Sequence, residues 1–403
     1  MNKGNVMWNG RWAGLRAVVL TGVIGLTGCE DTTPPWDRHV NRGDRLMQQG
    51  RFEEAKDAYD AALKEAETFG ERDPRLPRTL TRLASLHDVQ GDYAMAEPLL
   101  NRAVSLNETM LGDQDPELAA SLSNLAALHY AQQHFDEAQT LFERALHIRE
   151  QALGEDHRDL TMDLTNLAGV LAARKHYDQA EVYLQRALAI TEQDADDNDP
   201  ALVESLNNLA LLYHAQEHDE QAIPLLERAL AVNEQRLGAD SPGLSGSLNN
   251  LASLHMAQGD YDKAETLLKR VIHVQEKSFG PENPRLVPGL TELAKLYRVR
   301  GQLEQAESLL VRALTINEQK FGPEDAKVAR LLNNLALLYL LQERYDEAEP
   351  LFTRALSINE TTLGKDHPTV ARTLKNYVAL LRKTHREREA EALEARIAAM
   401  KQE

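Results

Sequence analysis

A chain that repeats one phrase every 42 residues has few folds open to it. The string LNNLALLY occupies residues 206–213 and returns, letter for letter, at 332–339, three periods further on. Degraded copies fill the interval and both flanks. A Leu-Ala pair marks their register at Leu83-Ala84, Leu125-Ala126, Leu167-Ala168, Leu209-Ala210, Leu251-Ala252, Leu293-Ala294 and Leu335-Ala336, with no insertion or deletion between steps. An earlier copy around Gly43 sits one residue out of step, and a worn one begins near Tyr377. A unit this short cannot bury its own apolar face; it does so by stacking on its neighbours.

Each period reads as two helices. Strands are not expected, because no segment shows a run of alternating β-branched residues. In residues 241–280, Ser241-Pro242 supplies an N-cap with proline in the first turn, and Leu248, Leu251 and Leu254 follow at helical spacing. Gly259-Asp260 breaks the helix; a second carries Ala264, Leu267, Leu268 and Val271 to Gly280, which is predicted to close it as a left-handed cap. The same punctuation recurs at Asp73-Pro74, Asp115-Pro116, Asp199-Pro200, Asn283-Pro284 and His367-Pro368. Alanine holds one register in all nine copies: Ala55, Ala96, Ala138, Ala180, Ala222, Ala264, Ala306, Ala348 and Ala390. A side chain this small lets two helix backbones approach closely.

The pattern resembles the tetratricopeptide repeat. Leu-Ala stands where that family has Leu-Gly, Tyr213, Tyr297 and Tyr339 match its first-helix tyrosine, and Tyr93, Phe135, Tyr177, Tyr261 and Tyr345 match its turn aromatic. The 42-residue length is similar to that of the kinesin light chain type. The resemblance implies an all-α, right-handed superhelical solenoid of about eight to nine helix-turn-helix repeats over residues 37–384. A capping helix follows over 385–403. A concave groove would be lined by the first helix of each pair.

One stripe of the first helices avoids the Leu/Tyr core face. At spacings of four, three and four it reads Ala120, Asn124, Ala127, Ala131, and in later copies it is centred on Asn166, Asn208, Asn250, Glu292, Asn334 and Asn376. Asn207, Asn249 and Asn333 stand beside it. A side-chain amide donates and accepts, so a row of amides can pair with an extended peptide backbone whatever its sequence. The resemblance implies this role for Asn124, Asn166, Asn208, Asn250 and Asn334; inheritance by duplication explains the same row without it. Lys295, Arg298, Arg300 and Arg330 put cations on or beside the stripe, as a basic pocket for a carboxylate or as solvated surface charge. Leu337, Leu340 and Leu341 offer an apolar anchor point or pack on the terminal helix.

The amino terminus has a separate logic. Lys3, Arg11 and Arg16 precede an apolar run over residues 17–28, too short to span a bilayer, which needs about 20 residues, but suited to a signal-peptide core. The run ends in Leu26-Thr27-Gly28-Cys29, which resembles the bacterial lipobox, and Cys29 is the only cysteine. That resemblance implies a signal peptide over 1–28, an acylated (palmitate-bearing) Cys29, a tether over 29–36, and a periplasmic or otherwise extracytoplasmic body held to the membrane of a bacterial envelope.

The formal net charge of −18 argues against nucleic-acid binding, where cations supply most of the attraction. No phosphate loop, nucleophile elbow or zinc spacing occurs, and the acids at Asp194, Asp196, Asp197 and Asp199 lack the spacing and turn glycine of a calcium loop. No catalysis, cofactor, metal or small-molecule substrate is expected. The expectation is a lipid-anchored scaffold that binds a peptide or protein partner. The alternatives are an assembly factor or pilotin of an envelope machine, or a non-catalytic regulatory subunit of an envelope enzyme.

Overall fold

The computed structural model of the protein describes residues 34–194 and 199–400. The lipobox residues Leu26, Thr27, Gly28 and Cys29, the signal peptide and most of the tether lie outside the described residues, as do Asp196 and Asp197. Among the described residues there are eighteen α-helices and no strand. None of these helices is long and apolar enough to cross a membrane.

The chain forms two compact units, Met1–Glu217 and His218–Glu403. In the N-terminal unit α1 (Pro35–Gln48) pairs with α2 (Phe52–Thr68), α3 (Arg75–Gln90) with α4 (Tyr93–Leu111), α5 (Pro116–Ala131) with α6 (Phe135–Leu153), and α7 (Leu160–Ala173) with α8 (Tyr177–Asp194). The unit ends with α9 (Pro200–Ala215). The C-terminal unit opens with α10 (Asp219–Leu237). It continues as the pairs α11 (Ser245–Gln258) with α12 (Tyr261–Phe279), α13 (Val287–Val299) with α14 (Leu303–Phe321), and α15 (Ala326–Leu341) with α16 (Tyr345–Leu363). The last pair is α17 (Pro368–Lys383) and α18 (Glu387–Ala399), so the terminal segment is the second helix of a ninth repeat. Helix α1 begins at Pro35, inside the expected tether; Trp36 is buried, and its indole Nε1 donates to Thr79 Oγ1 of α3 at 2.9 Å.

The nine register alanines are all fully buried, each at 0% exposure. At this position any larger side chain would overfill the contact between a helix and its neighbours. The N-caps follow the sequence in part. Asp115, Asp199 and Asp325 each accept a backbone N–H two residues on, at 2.8 Å. After Ser241 and Asn283, however, the chain first makes a short 3-10 turn, Pro242–Leu244 and Pro284–Leu286, and only then the α-helix.

The predicted left-handed cap at Gly280 is corrected by the structure. Its φ of 85° is positive, but ψ is 163°. That is an extended mirror-image conformation, more exclusively glycine's than the left-handed helical region. The true left-handed turn lies inside the repeats. Gly91 and Gly259 adopt it, and at the same register Gln133, Lys175, Glu217, Glu343 and His385 are forced to positive φ.

Candidate functional site

Within a unit a first helix packs one flank on its own second helix and another on the second helix before it, as α5 does on α6 and α4, which leaves one side open. In α5 that side carries Ala120, Asn124, Ala127 and Ala131, all half-buried. In α7 Met162 is exposed while Asn166 and Ala173 are half-buried, and in α9 Glu204 is exposed while Asn208, Leu211 and Ala215 are half-buried. Within the N-terminal unit the three amides therefore share the open side of consecutive first helices, and none turns inward among the leucines. Ser123 Oγ of α5 donates to Asp163 Oδ1 of α7 at 3.2 Å, which sets those helices side by side.

The two asparagine columns behave differently. Among the described residues, Asn124, Asn166, Asn208 and Asn334 make no side-chain hydrogen bond. The neighbouring column is used by the fold. Asn207 Nδ2 donates to Val203 O one turn back at 2.8 Å, and Asn333 Oδ1 accepts from Asn376 Nδ2 of the next first helix at 3.0 Å. Asn249 is half-buried, and its Oδ1 has no hydrogen-bond partner among the described residues. Asn250 is half-buried on the open side of α11.

In the C-terminal unit the open side changes character. Glu292 replaces the asparagine in α13 and pairs with Lys295 at 3.3 Å. Arg298 and Arg330 are exposed and form no ion pair among the described residues. Arg300 does not belong with them: its guanidinium bonds Glu265 at 2.8 Å and Asp262 at 2.9 Å, both on α12. Leu337 and Leu340 pack partly against the core, while Leu341 is 54% exposed.

Three periodic networks hold the stripe's helices in place, and sequence reading passed over all three. The first-helix tyrosines bond a second-helix glutamate one repeat back: Tyr213 to Glu181 at 3.0 Å, Tyr297 to Glu265 at 2.9 Å, and Tyr339 to Glu307 at 3.0 Å. Tyr377 repeats the bond to Glu349 at 2.6 Å, and Arg386 donates to the same carboxylate. These bonds hold Glu349 below the usual carboxylate range, the Tyr377 bond most of all; burial and the carboxylate together push Tyr377 up to about 12. An arginine ladder links successive second helices, Arg144 to Glu108, Arg186 to Glu150, Arg312 to Glu276, Arg354 to Glu318 and Arg396 to Glu360, at 2.5–2.7 Å.

The third network lies at the seam between repeats. Buried Asn107, Asn233 and Asn359 of the second helices donate to Ser121, Ser247 and Thr373 of the following first helices, at 2.8, 3.0 and 3.2 Å. At this register between α6 and α7 stands an ion pair instead, Arg149 with the fully buried Asp163. Burial pushes the Asp163 carboxyl up from its ordinary value against the pull of Arg149. The signal for these seams was present as an Asn-Glu phrase recurring at multiples of 42 residues, at Asn107, Asn233, Asn317 and Asn359.

The sequence matches the tetratricopeptide repeat family in seven stretches, residues 39–109, 77–151, 117–193, 160–235, 244–319, 287–361 and 327–403. No curated protein sequence matches it significantly. Among solved structures, yeast Tom70 is similar with a TM-score of 0.57 and 17% identity, over 94% of this chain and 69% of that one. The apo form of the quorum sensor NprR from B. thuringiensis gives 0.55 and 15%, over 91% of this chain and 97% of that one. The nearly identical, kinesin light chain-like TPR repeats of a Podosopora anserina protein are 25% identical over 51% of this chain and 98% of that one, with a TM-score of 0.46. With its register of paired helices and a family match that covers residues 39–235 and 244–403, the chain belongs to the tetratricopeptide repeat family.

Proposed function

We propose that this protein is a lipid-anchored scaffold of the bacterial envelope that holds an extended peptide segment of a partner protein on the open side of its first helices. The observation that carries the reading is the behaviour of the two asparagine columns. Asn207 and Asn333 of one column bond their own helix or the next repeat, while Asn124, Asn166 and Asn208 of the other offer half-buried amides with no partner among the described residues. Half-burial suits the role, because an amide partly shielded from water gains more from a peptide carbonyl or N–H than a fully solvated one. Small, half-buried neighbours such as Ala127 and Ala173 leave room for a backbone to come close. The anchor is supported by Leu26-Thr27-Gly28-Cys29 behind a basic and then apolar leader.

The test is selection of binding peptides from a random library on the full chain, followed by fluorescence anisotropy. Changing Asn124, Asn166 and Asn208 together to Ala removes up to three backbone-directed hydrogen bonds of about 0.5–1.5 kcal/mol each. Affinity should fall at least about tenfold while helicity stays constant. A triple variant that binds the selected peptides as tightly as the parent would defeat the reading. Fatty-acid labelling examines the anchor separately: Cys29→Ser should abolish the label.

A further inference from the structure

Helix α1 departs from every later first helix on one face. In α3 the side chains Leu76, Leu80, Leu83 and Leu86 lie on one face and are buried, packed with Ala58, Tyr59, Ala62 and Ala66 of the preceding α2. Later first helices keep apolar residues there, as in Leu118, Leu122, Leu125 and Leu128 of α5, or Leu286 of the preceding 3-10 turn with Leu290, Leu293 and Leu296 of α13. The corresponding positions of α1 hold Pro35, His39, Arg42 and Arg45, and Arg38 stands where α3 has the buried Thr79. No helix precedes α1 among the described residues, so within them this face ends the stack. Arg38, Arg42 and Arg45 are exposed, and Arg42 and Arg45 form no ion pair among the described residues.

An end face must be polar to stop further stacking, but polarity does not require one sign of charge. At the other terminus α18 exposes Glu387, Arg388, Glu389, Glu391 and several alanines, a mixed surface. In a chain where 63 acids face 45 Lys and Arg, an end made of three arginines and a histidine runs against the composition. The acids of α1 do not pair with Arg42 or Arg45. Asp44 is taken by Tyr59 Oη at 2.7 Å and Arg82 Nε at 3.0 Å, and Asp37 shares Asp44's helical side, away from the arginines. The location is informative as well. Pro35 lies six residues after Cys29, and a chain reaches at most about 3.6 Å per residue, so the first residue of α1 stands within about 22 Å of the Cα of Cys29.

We propose that the outer face of α1, built from Arg38, His39, Arg42 and Arg45, docks on an anionic lipid surface and seats the N-terminal unit on the membrane; the proposal rests on the reading of Cys29 as a lipid anchor. Guanidinium groups pair with phosphate oxygens in a fixed fork geometry, which suits phospholipid headgroups. The acidic remainder of the protein does not cancel the attraction. At physiological ionic strength the Debye length is about 8 Å, so only charges at the contact itself are felt.

The experiment uses full-length protein carrying Cys29→Ser, so that its outcome does not depend on acylation, and co-sedimentation with two kinds of vesicle. One kind is pure phosphatidylcholine; the other contains phosphatidylglycerol. The apolar leader contributes to both, and the ratio of the two partition coefficients isolates the electrostatic part. Each arginine near an anionic surface is worth about a fivefold change in binding. Arg42→Glu with Arg45→Glu should therefore lower the ratio about twenty-fivefold or more, whereas Arg298→Glu with Arg330→Glu should leave it unchanged. A ratio that survives the α1 reversal overturns the proposal, and so does an equal fall in the Arg298/Arg330 variant, which would mark a general charge effect. Fatty-acid labelling of the unmutated chain reports independently on whether Cys29 is acylated.

Discussion

The two units are written in one repeat but place their charge differently. Between α6 and α7 the N-terminal unit buries an ion pair, Arg149 with Asp163, while its open stripe from α5 to α9 is built mainly of amides and small residues. No such buried ion pair stands at this register among the described residues of the C-terminal unit. Its α10–α11 and α16–α17 seams are closed by neutral pairs, Asn233 with Ser247 and Asn359 with Thr373, as Asn107 with Ser121 closes α4–α5, and its stripe carries Glu292, Lys295, Arg298 and Arg330. Leucines and alanines at the same registers do the packing in both. The lesson is that the repeat prescribes where apolar volume goes, whereas polar positions are free to vary in sign and burial.

The seam provides the largest test of this contrast. Asp163→Ala leaves Arg149 facing the interior without its partner and should cost about 3–5 kcal/mol of stability in urea melts. At the equivalent place in the C-terminal unit, Ser247→Ala removes only a neutral acceptor and should cost about 1 kcal/mol. Installing the neutral pair through Arg149→Asn with Asp163→Ser should recover most of the loss. Equal costs for the two single changes would erase the distinction between the seams.

Acid should separate the units next. Glu265, bonded first by Lys269 and also by Tyr297, and Glu349, bonded by Tyr377 and Arg386, are held below the ordinary value of 4.5. Burial pushes Glu307 up, but Arg344 and Tyr339 outweigh it, so Glu307 too is lowered. A carboxylate whose folded pKa is depressed contributes stability that is complete above the unfolded value and is lost as pH falls through the folded one. Asp163 has the opposite sign: raised by burial, its contribution is present at lower pH and fades as pH rises through its folded value. Hydrogen exchange, corrected for intrinsic rates, should show protection in α12 to α17 declining below about pH 4.5. The Asp163 seam should decline less. Loss in the reverse order would break the comparison.

The smallest effect concerns turns. Lys175 and Glu343 sit at φ of 63° and 59°, at the register where Gly259 and Gly301 take 86° and 75°. Lys175→Gly and Glu343→Gly should each stabilise by about 1 kcal/mol, by relieving contact between Cβ and the backbone. Gly259→Lys should destabilise by a similar amount. A Tm unchanged in all three would mean that these turns are unstrained.

Much of this architecture was legible beforehand, for identifiable reasons. Leu251, Ala252 and Ala264 recur with a fixed period, and a period in apolar residues is a direct readout of packing. The buried role of Asn107 or Asn359 was not legible, because an asparagine on a helix reads the same whether it faces solvent or a serine on the next repeat. Arg300 misled for a similar reason. It is next to the stripe in sequence, but its long side chain reaches across to Glu265. The basic face of α1 was hidden by its register, one residue out of step, and became visible only when α3 was laid over it.

The sequence alone determined the helix pairs, their period and the alanine contacts. Each rests on local propensity and on apolar spacing, properties that a single strand of text contains. Only the tertiary structure decided which polar groups meet: Asp163 with Arg149, Glu349 with Tyr377, Asn333 with Asn376, and Arg42 and Arg45 with no ion-pair partner among the described residues. Such pairings depend on distances between residues a full repeat apart. A hydrogen bond at 3 Å is gained or lost by a shift too small for any residue pattern to record.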